Sequence, residues 1–214
     1  MLSLLGSVVW QGSQTVFYQL AKPRMVVIDP GHGGYDPGAV AAQDVYEKDL
    51  TLQVSQRVQY LLKLNGVEVK LTRDEDEDYV ADGATGRDKK RSDLNVRIQL
   101  AQEAKADIYV SLHVNAVTSG LNSGAETFYF TRSASGKILA EAIQGELIQI
   151  PGMNRRMAKP ADFYVVKNTS MPAILIELGY LSNPTERAKL LREQYQEELA
   201  QAITQGIMHY FTQL

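Results

Sequence analysis

Val26-Val27-Ile28-Asp29-Pro30-Gly31-His32-Gly33-Gly34-Tyr35-Asp36-Pro37-Gly38-Ala39 is the stretch on which the fold turns. Its β-branched beginning has the character of a buried strand, and the Pro/Gly cluster that follows stops that strand abruptly. Glycine lets backbone approach a ligand closely or take positive φ, and a simple connecting turn has little need of it so often. A single histidine sits among these glycines, just past the strand's carboxyl end, where open α/β sheets place their ligands. Taken by itself, the stretch reads equally well as a glycine-rich turn that happens to hold a histidine.

The flanking sequence extends this beginning into alternating strands and helices. Pro23 introduces the first core strand at 25–30, and Leu50, Val54, Val58, Leu61 and Leu62 predict a helix over 47–64 that Asn65-Gly66 ends. Val67, Val69 and Leu71 alternate with polar neighbours, which predicts a second strand running through Arg73. Asp74-Glu75-Asp76-Glu77-Asp78 lacks the spacing and closing glutamate of a calcium loop, so 74–91 reads as a solvated loop. Ser92 is expected to cap a helix carrying Leu94, Ile98, Ala101 and Ala104. Further strands are expected at 108–114, 126–130, 163–166 and 173–178, with a helix over 137–150 and closing helices after Asn183-Pro184. This alternation predicts an α/β fold: a single domain with an about six-stranded, mainly parallel or mixed twisted sheet flanked by helices on both faces. Residues 1–22, with Val8-Val9-Trp10 and Thr15-Val16-Phe17-Tyr18, are expected to form an N-terminal arm or edge strands ahead of the domain at 23–214.

Composition narrows the function. The 214 residues are 44% hydrophobic and 22% charged, ordinary for one well-buried globular core. A net charge of −3 gives no reason to expect nucleic acid as a partner. Cysteine is absent, which excludes disulfides, thiolate nucleophiles and zinc–thiolate clusters. Met1–Trp10 is mildly apolar but has no basic flank and no small-residue cleavage site, so it reads neither as an intact signal peptide nor as a transmembrane segment. A role outside the cytoplasm would therefore need an export signal beyond this chain.

Three expected strand ends carry chemistry. His32 follows the first strand, His113 ends Ser111-Leu112-His113-Val114-Asn115-Ala116, and Glu177 ends Ile174-Leu175-Ile176-Glu177. Parallel strands bring such ends to one edge. The third of the chain's three histidines, His209, lies in the last helix and reads as a packing or surface residue. Two histidines and a carboxylate are a common catalytic zinc shell that leaves a position for water. Spacing leaves the carboxylate open among Asp29, Asp36, Asp44, Glu47 and Asp49, with Glu47 favoured only by opening a helix. A charge ending a buried run such as 174–176 is costly unless it is paired, to Arg97 for example, or functional.

At these residues the chain resembles the zinc-dependent N-acetylmuramoyl-L-alanine amidases of the amidase_3 type. The matching segments are Val27–Gly34, Glu47-Lys48-Asp49-Leu50, Ser111–Ala116, Gly124–Phe128, Phe163–Val166 and Pro172–Asn183, and the likeness runs in order over about residues 25–212. The resemblance implies one Zn2+ held by His32, Glu47 and His113, with Glu177 as catalytic residue. It also implies hydrolysis of the amide between the lactyl group of N-acetylmuramic acid and L-alanine in peptidoglycan. Zinc would activate a water there, and Glu177 would take its proton and return it to the leaving amine. Asn115 and Glu126 lie in matching segments and are candidates for binding the substrate, the muramyl peptides.

Two departures from the family pattern stand out. Loop 74–91 is longer than usual and reads as a tolerated insertion. The connection from His113 to Gly124 is too short for the helix that covers zinc in some relatives, so an open site active without an activator is expected. A monomer, placed outside the cytoplasm in the periplasm or cell wall, is expected too. The competing readings are a non-catalytic peptidoglycan-binding module of the same fold, a zinc carboxypeptidase or deacetylase, and a plain core of two histidines and a buried ion pair.

Overall fold

Apolar periodicity and turn chemistry place most elements where they form. In the computed structural model of the chain, residues 7–11, 14–18 and 23–214 are described, except 43, 82 and 119. In chain order the elements are β1 (Ser7–Gln11), β2 (Gln14–Tyr18), β3 (Met25–Pro30), β4 (Val40–Ala41), β5 (Val45–Tyr46), α1 (Glu47–Leu64), β6 (Glu68–Leu71) and α2 (Gly86–Glu103). They continue as β7 (Ile108–Asn115), β8 (Glu126–Tyr129), α3 (Ala134–Leu147), β9 (Lys159–Pro160), α4 (Tyr164–Asn168), β10 (Ala173–Tyr180), α5 (Pro184–Leu190) and α6 (Glu193–Thr212). β1 and β2 pair with each other, antiparallel, as a separate two-stranded sheet. The reading of the apolar start as no signal peptide falls partly on residues 1–6, outside the described residues. Among the described residues no helix is long and apolar enough to cross a membrane.

The main sheet has six strands in the order β6-β3-β7-β10-β8-β9. β6, β3, β7 and β10 run parallel, and β8 is antiparallel to β10, so the sheet is mixed. Successive residues of a strand face opposite sides, and both sides are buried here. Val26, Ile28, Val110, Leu112, Ile174 and Ile176 pack into the core beneath α1, α3 and α6. Val27, Tyr109, Ala173 and Leu175 pack on the other side, where α2 and α4 lie against each other. Each fully buried Val, Leu or Ile among these contributes on the order of 1.5–3 kcal/mol. α3 and α6 approach so closely that a Cβ on Gly206 would sit 2.4 Å from the Ile143 Cα.

Helix α1 spans the expected residues, buries Leu50, Val54, Val58 and Leu62, and stops where Gly66 takes φ 74° and Val67 N–H reaches the Leu62 carbonyl. Asn183 caps α5 through its side chain, which accepts from Thr185 N and Glu186 N.

Three expectations are corrected. Helix α2 starts at Gly86, not at Ser92, because its first two turns (Gly86–Arg91) carry only charged side chains after the glycine and show no apolar period. The run Phe163–Val166 is not a strand: Tyr164–Asn168 is the short helix α4, which buries Val165 and Val166, and the sixth strand is Lys159–Pro160. Four apolar residues satisfy either period. α3 begins at Ala134, ahead of Lys137, capped by Ser133 whose side chain accepts from Gly136 N.

Candidate metal centre

β3, β7 and β10 deliver His32, His113 and Glu177 to one edge of the sheet. His113 faces Glu177 across the β7–β10 pair, and Glu177 faces Glu126 across β10–β8, so these three form one rung. Their side chains leave the sheet on the α2/α4 side, where Leu175 and Tyr109 also point.

The loop after β3 turns sharply enough to put His32 at φ 63°, a conformation that costs a non-glycine residue about 1–3 kcal/mol. Two buried arginines hold it. Arg73 donates from Nε to the carbonyls of Pro30 (3.0 Å) and His32 (2.7 Å), and from Nη2 to that of Gly31 (3.1 Å). Arg97 donates from Nη1 to the Pro30 carbonyl (2.8 Å) and from Nη2 to the His32 carbonyl (2.7 Å). Asp29 neutralises Arg97 at 2.9 Å and accepts from Ser111 and Thr72 hydroxyls, both at 2.6 Å. Burial alone would raise the Asp29 pKa, but Arg97 and these hydroxyls hold it well below the usual carboxylate range.

The acidic run does more than face solvent, contrary to the reading of 74–91 as a solvated loop. Asp76 accepts from Gly34 N–H at 2.8 Å and Asp78 from Tyr35 N–H at 3.1 Å, while Lys48 bridges Asp76 and the Gly34 carbonyl.

Of the five carboxylates left open by spacing, Glu47 meets the histidines. Asp44 and Asp49 are exposed, and Asp29 is committed to Arg97. Glu47, only 5% exposed at the start of α1, anchors Oε2 on Ala39 N–H (2.8 Å) and Oε1 on Val114 N–H (2.9 Å). Its Oε1 lies 3.0 Å from His32 Nε2 and 3.0 Å from His113 Nδ1, which are 3.1 Å apart. A tetrahedral zinc with ligands at about 2.0–2.1 Å separates its donors by about 3.3 Å, so this triangle fits such an ion. Among the described residues no other three His, Cys, Asp or Glu side chains converge this way.

Asp36 Oδ2 stands 2.9 Å from His32 Nδ1, which directs Nε2 toward the triangle. The hydrogen bond to His32 brings the Asp36 pKa to about 2. On His32, burial opposes charge, but Asp36 and Glu47 outweigh it and raise the pKa to about 9. Gly31 admits no side chain, since a Cβ there would lie 2.4 Å from the His113 ring.

Among the described residues Glu177 has no salt bridge; the partner considered for it, Arg97, is taken by Asp29 and Asp93. Its Oε2 is buried without a hydrogen-bond partner, and burial, then the Glu47 charge, push its pKa to about 8. The group is a proton holder near neutrality. Asn115 ends β7, half-buried, two residues past His113. Glu126 is buried and already accepts from Arg156, from Lys159 at 2.6 Å and from the Tyr180 hydroxyl at 2.9 Å. Sequence reading missed the two arginine braces. Arg73 follows β6, an edge strand with only Leu71 buried, so no buried run marked it as the run 174–176 marked Glu177.

Fold and site together define an α/β protein with a three-donor candidate metal pocket beside a buried carboxyl oxygen that has no hydrogen-bond partner. The chain belongs to the N-acetylmuramoyl-L-alanine amidase family, Amidase_3, which it matches over residues 26–209. It is similar to the germination-specific N-acetylmuramoyl-L-alanine amidase of Bacillus subtilis (strain 168), 38% identical over 89% of this chain and 81% of that protein. The N-acetylmuramoyl-L-alanine amidase LytC of the same organism is 35% identical over 93% of this chain but 38% of its own length. Among solved structures, the CwlD amidase from Clostridioides difficile, in complex with the GerS lipoprotein, superposes with a TM-score of 0.85 at 35% identity, covering 89% of this chain and 100% of that one. The protein is thus an amidase of the hydrolase class, and its substrate is peptidoglycan.

Proposed function

We propose that the chain is a zinc-dependent N-acetylmuramoyl-L-alanine amidase, with His32, Glu47 and His113 as the metal ligands and Glu177 as the catalytic residue. The observation that carries this reading is the triangle of donors at 3.0–3.1 Å beside an unpartnered, buried Glu177 oxygen. Zinc held there supplies Lewis acidity to the scissile carbonyl and lowers the pKa of the attacking water. Glu177 accepts the water's proton on Oε2 as the C–O bond forms, then gives it to the alanine nitrogen as the C–N bond breaks. Asp36 keeps a proton on His32 Nδ1, leaving the Nε2 lone pair for the metal. Residues 23–214 act as the catalytic domain, and the protein works outside the cytoplasm, in the periplasm or cell wall, as a monomer.

We further infer activity without an activator. The support is local: the described residues between β7 and β8 contain no helix that would cover the triangle. The GerS lipoprotein in the CwlD complex favours a second reading, in which a partner protein joins this domain. Purified murein incubated with the chain decides the matter. The wild type is expected to release stem peptides with an L-alanine amino terminus, and chelator or Glu177→Ala to lower that rate at least about 10³-fold. Murein binding without release in the presence of zinc would defeat autonomous activity.

A further inference from the structure

We propose that Arg156 and Lys159 form a carboxylate subsite, which takes the acidic group of the stem-peptide residue following L-alanine. The proposal rests on the amidase reading above and names what that site recognises next to the scissile bond.

The rung His113–Glu177–Glu126 sets the distances. Strands lie about 4.8 Å apart, so the Glu126 Cα is about 5 Å from that of Glu177 and about 10 Å from that of His113. Glu126 already has three acceptor sites taken, by Arg156, Lys159 and Tyr180. Its role is to anchor two cations that arrive from different segments: Lys159 from β9, and Arg156 from the loop before it. One carboxylate against two cations leaves a net positive charge beside the proton holder.

Donors remain for a second anion. Arg156 commits Nε to the Ser123 carbonyl at 3.1 Å and Nη1 to Glu126, out of five N–H groups. Lys159 commits one of three, and its side chain is 49% exposed. Both are held in place before any ligand arrives, which lowers the ordering cost of binding.

The substrate's dimensions match. An extended peptide advances at most about 3.6 Å per residue, so a scissile carbonyl at the donor triangle puts the next residue's α-carboxyl about 7 Å further along. Lys159 lies on β9, one strand beyond Glu126, and Arg156 in the loop before it; both bring their head groups back to the Glu126 carboxylate, about 10 Å along the rung, and from there reach that point. Arginine and lysine together give a forked and a point-like donor to one carboxylate.

The test compares two substrates, N-acetylmuramoyl-L-alanyl-γ-D-glutamyl-L-lysine and its D-isoglutaminyl counterpart, which differ only in whether that carboxyl is free or amidated. The wild type is expected to favour the free acid about tenfold in kcat/KM, through KM. Lys159→Gln, which leaves Arg156 to satisfy Glu126, is expected to remove most of that preference, and Lys159→Arg to retain it. Equal wild-type rates on the two substrates, or an equal loss on both in Lys159→Gln, would overturn the subsite while leaving the amidase standing. Cleavage of neither by a wild type that does release stem peptides from murein would overturn the subsite alone; failure on murein as well would defeat autonomous activity, so the two failures are distinguishable.

Discussion

At the scale of single residues, the site is built from groups held where they would not rest alone. His32 has a left-handed backbone that four arginine hydrogen bonds to the carbonyls of Pro30 and His32 restrain. Glu177 is the other case: a half-buried residue whose Oε2 is kept from solvent with no hydrogen-bond partner. Burial and the nearby Glu47 raise its pKa from 4.5 to about 8, so the metal-free folded chain binds this proton more tightly than the unfolded chain. The sign follows: the stability this proton lends is complete below about pH 4.5 and is lost as pH rises toward about 8. Glu177→Gln cannot ionise. Metal-free wild type and Glu177→Gln are therefore expected to melt alike below about pH 4.5 and to diverge steadily as pH rises from there to about 8, the variant higher, in thermal scans across pH. A constant gap between the two at all pH values would contradict this.

Elements differ in how openly the sequence declares them. Helix α1 was legible from end to end because its apolar stripe and its Asn65-Gly66 stop agree. α2 hid its first two turns since Arg87–Arg91 are all charged and bury nothing there that a period could reveal. Phe163–Val166 misled because a turn of helix can bury Val165 and Val166 as well as a strand can. The pairing of Glu47 with both histidines, and the arginine braces, depend on contacts between residues tens of positions apart, which no local pattern encodes. The α3–α6 contact makes its own prediction. Gly206→Ala places a methyl 2.4 Å from the Ile143 Cα and 2.9 Å from its nitrogen, backbone that cannot swing aside. It is expected to cost about 1–3 kcal/mol in denaturant unfolding with little change in the far edge of the sheet; a neutral result would mean the two helices slide apart freely.

For the whole molecule, the decisive fact is the strand order β6-β3-β7-β10-β8-β9, which seats β3, β7 and β10 side by side. Their parallel run brings positions 32, 113 and 177 together, and α1 adds Glu47 from beneath. A metal that binds only this assembled triangle stabilises the entire domain by linkage. Zinc at 100 times its dissociation constant is expected to add about 2.7 kcal/mol, a rise in Tm of roughly 5–10 °C for a chain of this size. A chelator should reverse it, and an unchanged Tm would show that the triangle holds no zinc.

The Glu47 carboxylate, fastened to Ala39 and Val114 as well as set among both histidines, carries this further. An ion held there would be a clasp between the helix and two strands, so scarcity of metal would be felt as fragility as well as idleness. In surroundings rich in proteases, a starved copy would be cleared sooner than a loaded one. The number of surviving molecules would then follow the zinc supply, with no dedicated sensor.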